Sequence, residues 1–289
     1  MFVRLFLLVL SWLLVAVPGV EGALPVRVVT TLEVFADLIA NVGGPRVEVT
    51  PLVPRGGDPH TFEPSPREAR AVAQGDLFFY NGLNLEPWVL SLVENIGEGR
   101  VPAVILSAGL EPLPLEGHGG SDPHCWLDVH KAIHYVEIIR DSLIAVDPGG
   151  IDEYRARSES YITGLRELDR WMKEQIGAIP PERRLLLTYH AGFAYLAQAY
   201  GLEIAGYLVL DPDREPAAKD LVAFVQLIRE RSIPAVFIEP QMNPKLVETL
   251  AKETKVKVVT LYSGAFTEEV DSYVAMMEAN TYGLLEGLL

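Results

Sequence analysis

Apolar residues along this chain fall into two alternating textures. Short unbroken runs, as in Val26 to Thr30 or Leu185 to Tyr189, read as buried strands. Longer stretches with apolar positions every three or four residues, as in Leu32 to Val42, read as helices packed on one face. In the first half the order is strand Val26 to Thr30, helix Leu32 to Val42 and strand Val47 to Val53. A Pro-, Gly- and Asp-crowded loop (Pro54 to Pro66) leads into a helix to Gln74, strand Leu77 to Asn81, helix Glu86 to Ile96 and strand Ala103 to Leu106. Segment Pro112 to Asp122 is a loop, and a helix from Val129 to Ala145 stops at Pro148-Gly149-Gly150. After Pro180-Pro181 the alternation returns, with strands Leu185 to Tyr189, Glu203 to Val209, Ala235 to Ile238 and Val256 to Leu261. The helices between and after them are Phe193 to Tyr200, Lys219 to Arg231, Pro244 to Thr254 and Ser272 to Leu288.

Strands and helices alternating at this spacing predict an α/β fold with parallel sheets. The longest periodic stretch, Ile151 to Ile179, carries Tyr154, Ser158, Ile162, Leu165, Leu168, Met172 and Ile176 on one stripe. Its midway position makes it a connector between domains. The expected organisation is therefore a leader at 1–22, an N-terminal α/β domain at 23–150, a connecting helix at 151–179 and a C-terminal α/β domain at 180–289. Each domain would hold a roughly four-stranded parallel sheet flanked by helices, and ligands of such sheets bind beyond the carboxyl ends of the strands. Two domains facing each other make a cleft.

The leader alters the compartment. Arg4 precedes an apolar run from Leu5 to Val17, Pro18-Gly19 breaks it, and Val20-Glu21-Gly22 offers small residues for cleavage. The run is shorter than the about 20 residues a membrane span needs. We therefore expect an exported, periplasmic protein with no stable membrane insertion. Cys125 is the sole cysteine, so no intramolecular disulfide forms and no cysteine after the leader offers a lipid attachment point. The 289 residues carry a formal charge of −15, which disfavours nucleic acid as a partner.

Chemistry concentrates in three of the six histidines. His60 lies in Gly57-Asp58-Pro59-His60-Thr61-Phe62-Glu63-Pro64, His124 in Asp122-Pro123-His124-Cys125-Trp126-Leu127-Asp128, and His190 at the end of a strand. Imidazole is the commonest ligand for borderline metals, and three leave one position of a tetrahedron open. Carboxylates beside the first two (Asp58, Glu63, Asp122, Asp128) suit the habit of fixing a metal-bound ring through its other N–H. The spacing matches no short zinc motif. His130 and His134 form an i, i+4 pair that reads as a solvated helix face, and His118 sits in a short glycine loop.

These segments, with Tyr189-His190-Ala191-Gly192-Phe193, Phe237-Ile238-Glu239-Pro240-Gln241 and the tail Asp271-Ser272-Tyr273 to Asn280, resemble the zinc/manganese-binding solute receptors of ABC importers, the ZnuA/TroA type. The resemblance runs over the whole mature chain in order. It implies two α/β domains joined by one rigid helix, with metal in the cleft held by His60 and His124 from the first domain and His190 from the second. It also implies an ABC permease as partner and capture without catalysis by a monomer. Family members often add an aspartate after the last strand, and the matching position here holds Tyr262. Water or Glu239 is then the expected fourth ligand, with Asp58, Asp128 and Tyr262 supporting from behind. Manganese-selective relatives place a carboxylate where this chain has His190. Three neutral nitrogens favour Zn²⁺ as cargo over Mn²⁺ or Fe²⁺. A zinc hydrolase with Glu239 as general base is the competing reading, but metalloprotease, nucleophile-elbow and phosphate-loop motifs are missing. An organic-solute receptor would need Trp88, Trp126 and Tyr195 around a larger pocket.

Overall fold

The computed structural model describes residues 24–97, 99–115, 120–210 and 216–289. The leader expected at 1–22 and His118 lie outside them. The first half gives strands β1 (Val26–Thr30), β2 (Val47–Pro51), β3 (Leu77–Tyr80) and β4 (Ala103–Ile105). With them come helices α1 (Glu33–Gly43), α2 (Pro66–Gln74) and α3 (Val89–Ile96). A two-stranded antiparallel ribbon, β5 (Pro114–Leu115) and β6 (Gly120–Ser121), precedes α4 (Val129–Val146). The long helix α5 (Ile151–Gly177) follows. The second half holds β7 (Leu185–His190), α6 (Ala194–Tyr200), β8 (Glu203–Val209) and α7 (Ala218–Glu230). It closes with β9 (Ala235–Ile238), α8 (Pro244–Thr254), β10 (Lys257–Thr260) and α9 (Tyr273–Leu288).

Both large sheets are parallel and have four strands, in the orders β2-β1-β3-β4 and β10-β9-β7-β8. Read from the other side, the second is β8-β7-β9-β10, the same winding as the first. The two halves share one topology without an evident sequence repeat. In each sheet the order reverses between the first and third strands of the half, and ligands bind at such a point beyond the carboxyl ends. The central strands β7 and β9 are buried along their whole length, which is why they read as continuous apolar runs. The edge strands β2, β4 and β10 are half-exposed and read as alternating or mixed.

One hydrophobic core runs from the first sheet through α1, α4 and α5 into β9, β10 and α9. A smaller core lies between the far face of the second sheet and α7 and α8. The closing helix returns to the first half: Tyr273 N–H donates to Asp37 Oδ2 at 2.9 Å, and Tyr273 O–H to the Trp126 carbonyl at 2.8 Å. Trp126 Nε1–H in turn donates to the Ser263 carbonyl at 2.8 Å. These bonds cross between the halves, so the cleft has a fixed floor.

Helix α3 starts later than its apolar pattern suggests. Glu86, expected as its first residue, is buried and accepts from Thr31 O–H (2.7 Å) and the Asn81 N–H (2.9 Å). Burial pushes this carboxyl up to about 7 against those bonds. The acid ties the ends of β1 and β3 together instead of opening a helix.

Helix α5 has 27 residues and so spans about 40 Å. A Cβ on its Gly164 would meet nothing within 4 Å. Gly164→Ala is therefore expected to stabilise the protein by about 0.5–1 kcal/mol through lost unfolded-state freedom. A shift of the urea midpoint at unchanged slope would register it.

Candidate metal centre

His60, His124 and His190 converge, although more than a sheet's width of chain separates each from the next. Each offers one nitrogen, and the three nitrogens all lie within 4.8 Å of one another. Ring centroids are 5.1–6.1 Å apart. His190 is the last residue of β7, and His124 precedes the turn Cys125–Leu127. His60 sits in the loop beyond β2. His190 therefore stands at the carboxyl end of a central strand, and the other two lie on loops that meet it there.

Each ring is held from behind. Asp122 Oδ1 accepts both the His124 backbone N–H (2.9 Å) and the ring Nδ1–H (2.8 Å). The carboxylate Oε1 of Glu239 contacts His190 Nδ1, and both groups are buried. Those carboxylates select the Nδ1–H tautomer on both rings, since an ionised carboxylate only accepts. The two bare Nε2 lone pairs then face each other at 3.4 Å. Two nitrogens bound to one tetrahedral Zn²⁺ at about 2.05 Å stand about 3.4 Å apart. His60 Nε2 is buried with no hydrogen-bond partner. Three buried acceptors aimed at one point repel each other and cost free energy, unless a cation sits between them.

The His60 loop is pinned by its neighbours. Trp88 Nε1–H donates to the Pro59 carbonyl (2.9 Å), Phe62 packs edge-on against Trp88, and Asp58 Oδ1 accepts the His60 N–H (2.9 Å). On the other side, Asn81 Nδ2–H donates to the Pro123 carbonyl (2.9 Å) and holds the turn before His124. Tyr195 O–H from α6 reaches the Asp122 carbonyl at 3.0 Å, joining the second half to this turn.

The structure shows where Glu239, expected as a fourth ligand, and Asp128 and Tyr262, expected as supports, stand. Glu239 grips Nδ1 of His190, the ring edge away from the His124–His190 gap, so it orients a ligand instead of filling the fourth position. Asp128 does not back His124, because its carboxylate caps α4 by accepting the His130 N–H at 2.9 Å. Asp122, two residues before His124, takes that task. Tyr262 packs its ring against the core, and its backbone is clasped by the Asn280 amide (2.6 and 2.9 Å). The residues after β10 that line the cavity are Ser263, Gly264 and Ala265, none a carboxylate. Asp58 lines it too.

Other candidates stand apart. Cys125 is wholly buried in the main core. His130 is exposed and 3.3 Å from Asp169, and His134 bonds the Ala108 carbonyl at 2.7 Å. Trp88 and Tyr195 are core residues.

The cavity among the histidines measures about 10 Å³, room for one water or one ion and no organic solute. Gly192 was part of a sequence motif, but its reason is steric. A Cβ there would lie 2.5 Å from both Cε1 and Nε2 of His190. Gly192→Ala must swing that ring, which Glu239 and the buried walls hold. We expect zinc affinity to fall by roughly 10²-fold, the cost of about 1 Å misplacement at a preorganised site. Competition against a chelator of known affinity would measure it.

Comparison with known proteins accords with this geometry. The family model of the periplasmic component A of zinc-uptake complexes, ZnuA, matches residues 28–287. The manganese-binding lipoprotein MntA of Halalkalibacterium halodurans is 35% identical over 266 residues, covering 91% of this chain and 88% of that protein. The manganese ABC transporter substrate-binding lipoprotein PsaA of Streptococcus pneumoniae is 32% identical over 274 residues, covering 91% and 88%. Among solved structures, the periplasmic zinc binding protein TroA from Treponema pallidum superposes with a TM-score of 0.85 at 30% identity, over 91% of this chain and 99% of that one.

Proposed function

Since this chain belongs to the ZnuA family of periplasmic zinc-uptake components, we propose that it captures one Zn²⁺ with His60, His124 and His190 and hands it to its importer. In coarser terms it is a metal-binding substrate-binding protein of an ABC transporter, an extracytoplasmic receptor and not an enzyme. A permease and ATPase are accordingly its partners. Among the described residues no helix is long and apolar enough to cross a membrane.

The identity of the ion is our reading, because relatives are named for manganese as well as for zinc. The observation that carries it is the pair of facing Nε2 atoms, each fixed by a carboxylate on its far nitrogen. Neutral imidazoles suit borderline Zn²⁺ over harder Mn²⁺, which prefers oxygen. Asp122 and Glu239 still stand one ring away, so their negative charge offsets the dication without occupying its shell. The same reasoning applies to Fe²⁺, which binds such sites less tightly than Zn²⁺.

The pocket dimension also argues against hydrolysis, since a substrate bond could not reach the centre beside a bound ion. Release into the periplasm as a monomer remains our expectation for the mature chain, and mass analysis of the secreted form would report any lipid. For the metal itself, protein purified without chelator is expected to carry about one zinc per chain. Under competition it should keep zinc against a hundredfold excess of manganese. Stoichiometric manganese displacing zinc would overturn the proposal.

A further inference from the structure

Beyond the histidines the cavity wall is polar, and its one acidic residue is Asp58. With Asp58 it holds Gln241, Met242 and the turn Ser263 to Ala265, and apolar groups complete it. Two of the lining side chains hold a buried polar atom with no bond or ionic contact, His60 Nε2 and Gln241 Oε1. Gln241 Nε2–H donates to Ser263 Oγ at 3.2 Å. The Ser263 carbonyl in turn accepts the Trp126 indole N–H at 2.8 Å. This chain of bonds turns the amide nitrogen to Ser263 and leaves Oε1 buried without a partner, on a residue that lines the cavity. Gln241 follows β9 by three residues, beyond the carboxyl end of a central strand, where the fold concentrates ligands.

Resting on the reading that the trio binds metal, we infer that Gln241 Oε1 is the fourth ligand and makes the site selective for Zn²⁺ over Mn²⁺. The other polar side chains of the wall, Asp58 and Ser263, each have a partner. Asp58 Oδ1 accepts the His60 N–H, Ser263 Oγ accepts from Gln241, and a thioether such as Met242 suits softer ions. An amide oxygen is a neutral donor, so the inner shell carries no charge of its own. Manganese, which gains most from anionic oxygen, loses most from that arrangement. The position after the last strand cannot supply the missing carboxylate, because Gly264 faces the cavity there with no side chain. The amide fills the gap from the neighbouring strand β9.

The test uses the full mature chain with Zn²⁺, Mn²⁺ and Co²⁺ as probes. Gln241→Ala is expected to weaken zinc about 10- to 100-fold in chelator competition. It should also shift the visible d–d bands of the Co²⁺-loaded protein, because a different oxygen enters the shell. Gln241→Glu keeps the side-chain shape and adds an anionic oxygen, so it should raise manganese affinity relative to zinc at least about tenfold. A zinc-loaded structure should find Oε1 about 2.0–2.2 Å from the ion. Unchanged zinc affinity and an unchanged Co²⁺ spectrum in Gln241→Ala, with metal still lost from the triple histidine variant, would sink this inference alone. Wild-type protein that takes up no zinc would overturn the histidine reading and this one with it. Should Gln241→Ala fold poorly by circular dichroism, Gln241→Glu decides, since an unaltered manganese-to-zinc ratio there contradicts the proposal.

Discussion

Alanine at His60, His124 and His190 together is expected to abolish stoichiometric zinc binding while leaving a folded protein. Zinc held by four protein ligands is worth about 10–16 kcal/mol, so each nitrogen carries roughly 3–4 kcal/mol. One substitution should thus weaken binding by about 10²- to 10³-fold, and three should leave nothing measurable at micromolar metal. The fold should survive because the rings lie at the rim of the main core and not within it; none of them belongs to the apolar cluster that spans the halves. The triple variant loses three facing acceptors but leaves the buried Asp122 and Glu239 without their ring partners, so some loss of stability short of unfolding is expected. The check is thermal. Wild-type protein in zinc at a hundredfold excess over Kd should gain about 2.7 kcal/mol, several degrees in Tm, and the triple variant should gain none. Retained zinc in that variant would place the site elsewhere.

Acid should release the metal, and the residue that responds first is His190. Burial pushes its imidazole down, but the charge and hydrogen bond of Glu239 outweigh burial and hold it above the ordinary histidine value. His60 goes the other way: burial, with the positive charges His124 and His190 would carry, keeps it well below that value. A ligating nitrogen must be bare, so every proton on the trio competes with zinc. Since His190 is raised, competition begins above pH ~6.5 and grows tenfold per unit for each ring that titrates. His60 remains neutral through that range and adds nothing. Zinc affinity is therefore expected to fall at least about tenfold per pH unit below pH ~6.5, with a slope under three. Titration calorimetry in buffers of different ionisation heat would count the protons released. Affinity flat down to pH 5 would argue against histidine ligation. Folding of the metal-free protein carries the opposite sign for His190: its raised value stabilises the folded form below pH ~6.5, and that gain is lost as pH rises through it.

Much of the fold was legible because each half builds its sheet from buried strands whose apolar runs carry their own signal. Leu185 to Tyr189 and Ala235 to Ile238 read as strands and are the central pair of their sheet. The long stripe from Tyr154 to Ile176 read as one helix and is one. Glu86 misled, since an acid at the head of an apolar stretch looks like the first turn of a helix. Only its Thr31 and Asn81 partners, distant in sequence, make it a strand-end tie.

At the site, the residue types and flanking motifs singled out the three histidines that the structure brings together, because imidazole chemistry and motif order belong to the chain. What they left open was direction. Asp58, Asp122 and Asp128 all flank histidines, yet Asp122 faces the His124 ring, Asp58 holds the backbone beside His60 and Asp128 caps a helix. Glu239 looked like a ligand and meets the far nitrogen of His190, while Gln241, two residues on, lines the cavity. Which edge of a side chain meets the centre depends on strand register and on partners brought in by other strands and turns, as Glu239 is to His190 and Ser263 to Gln241. The sequence determined the donors; their facing, and hence the shell around the ion, was decided only when two sheets of the same winding brought their strand ends together.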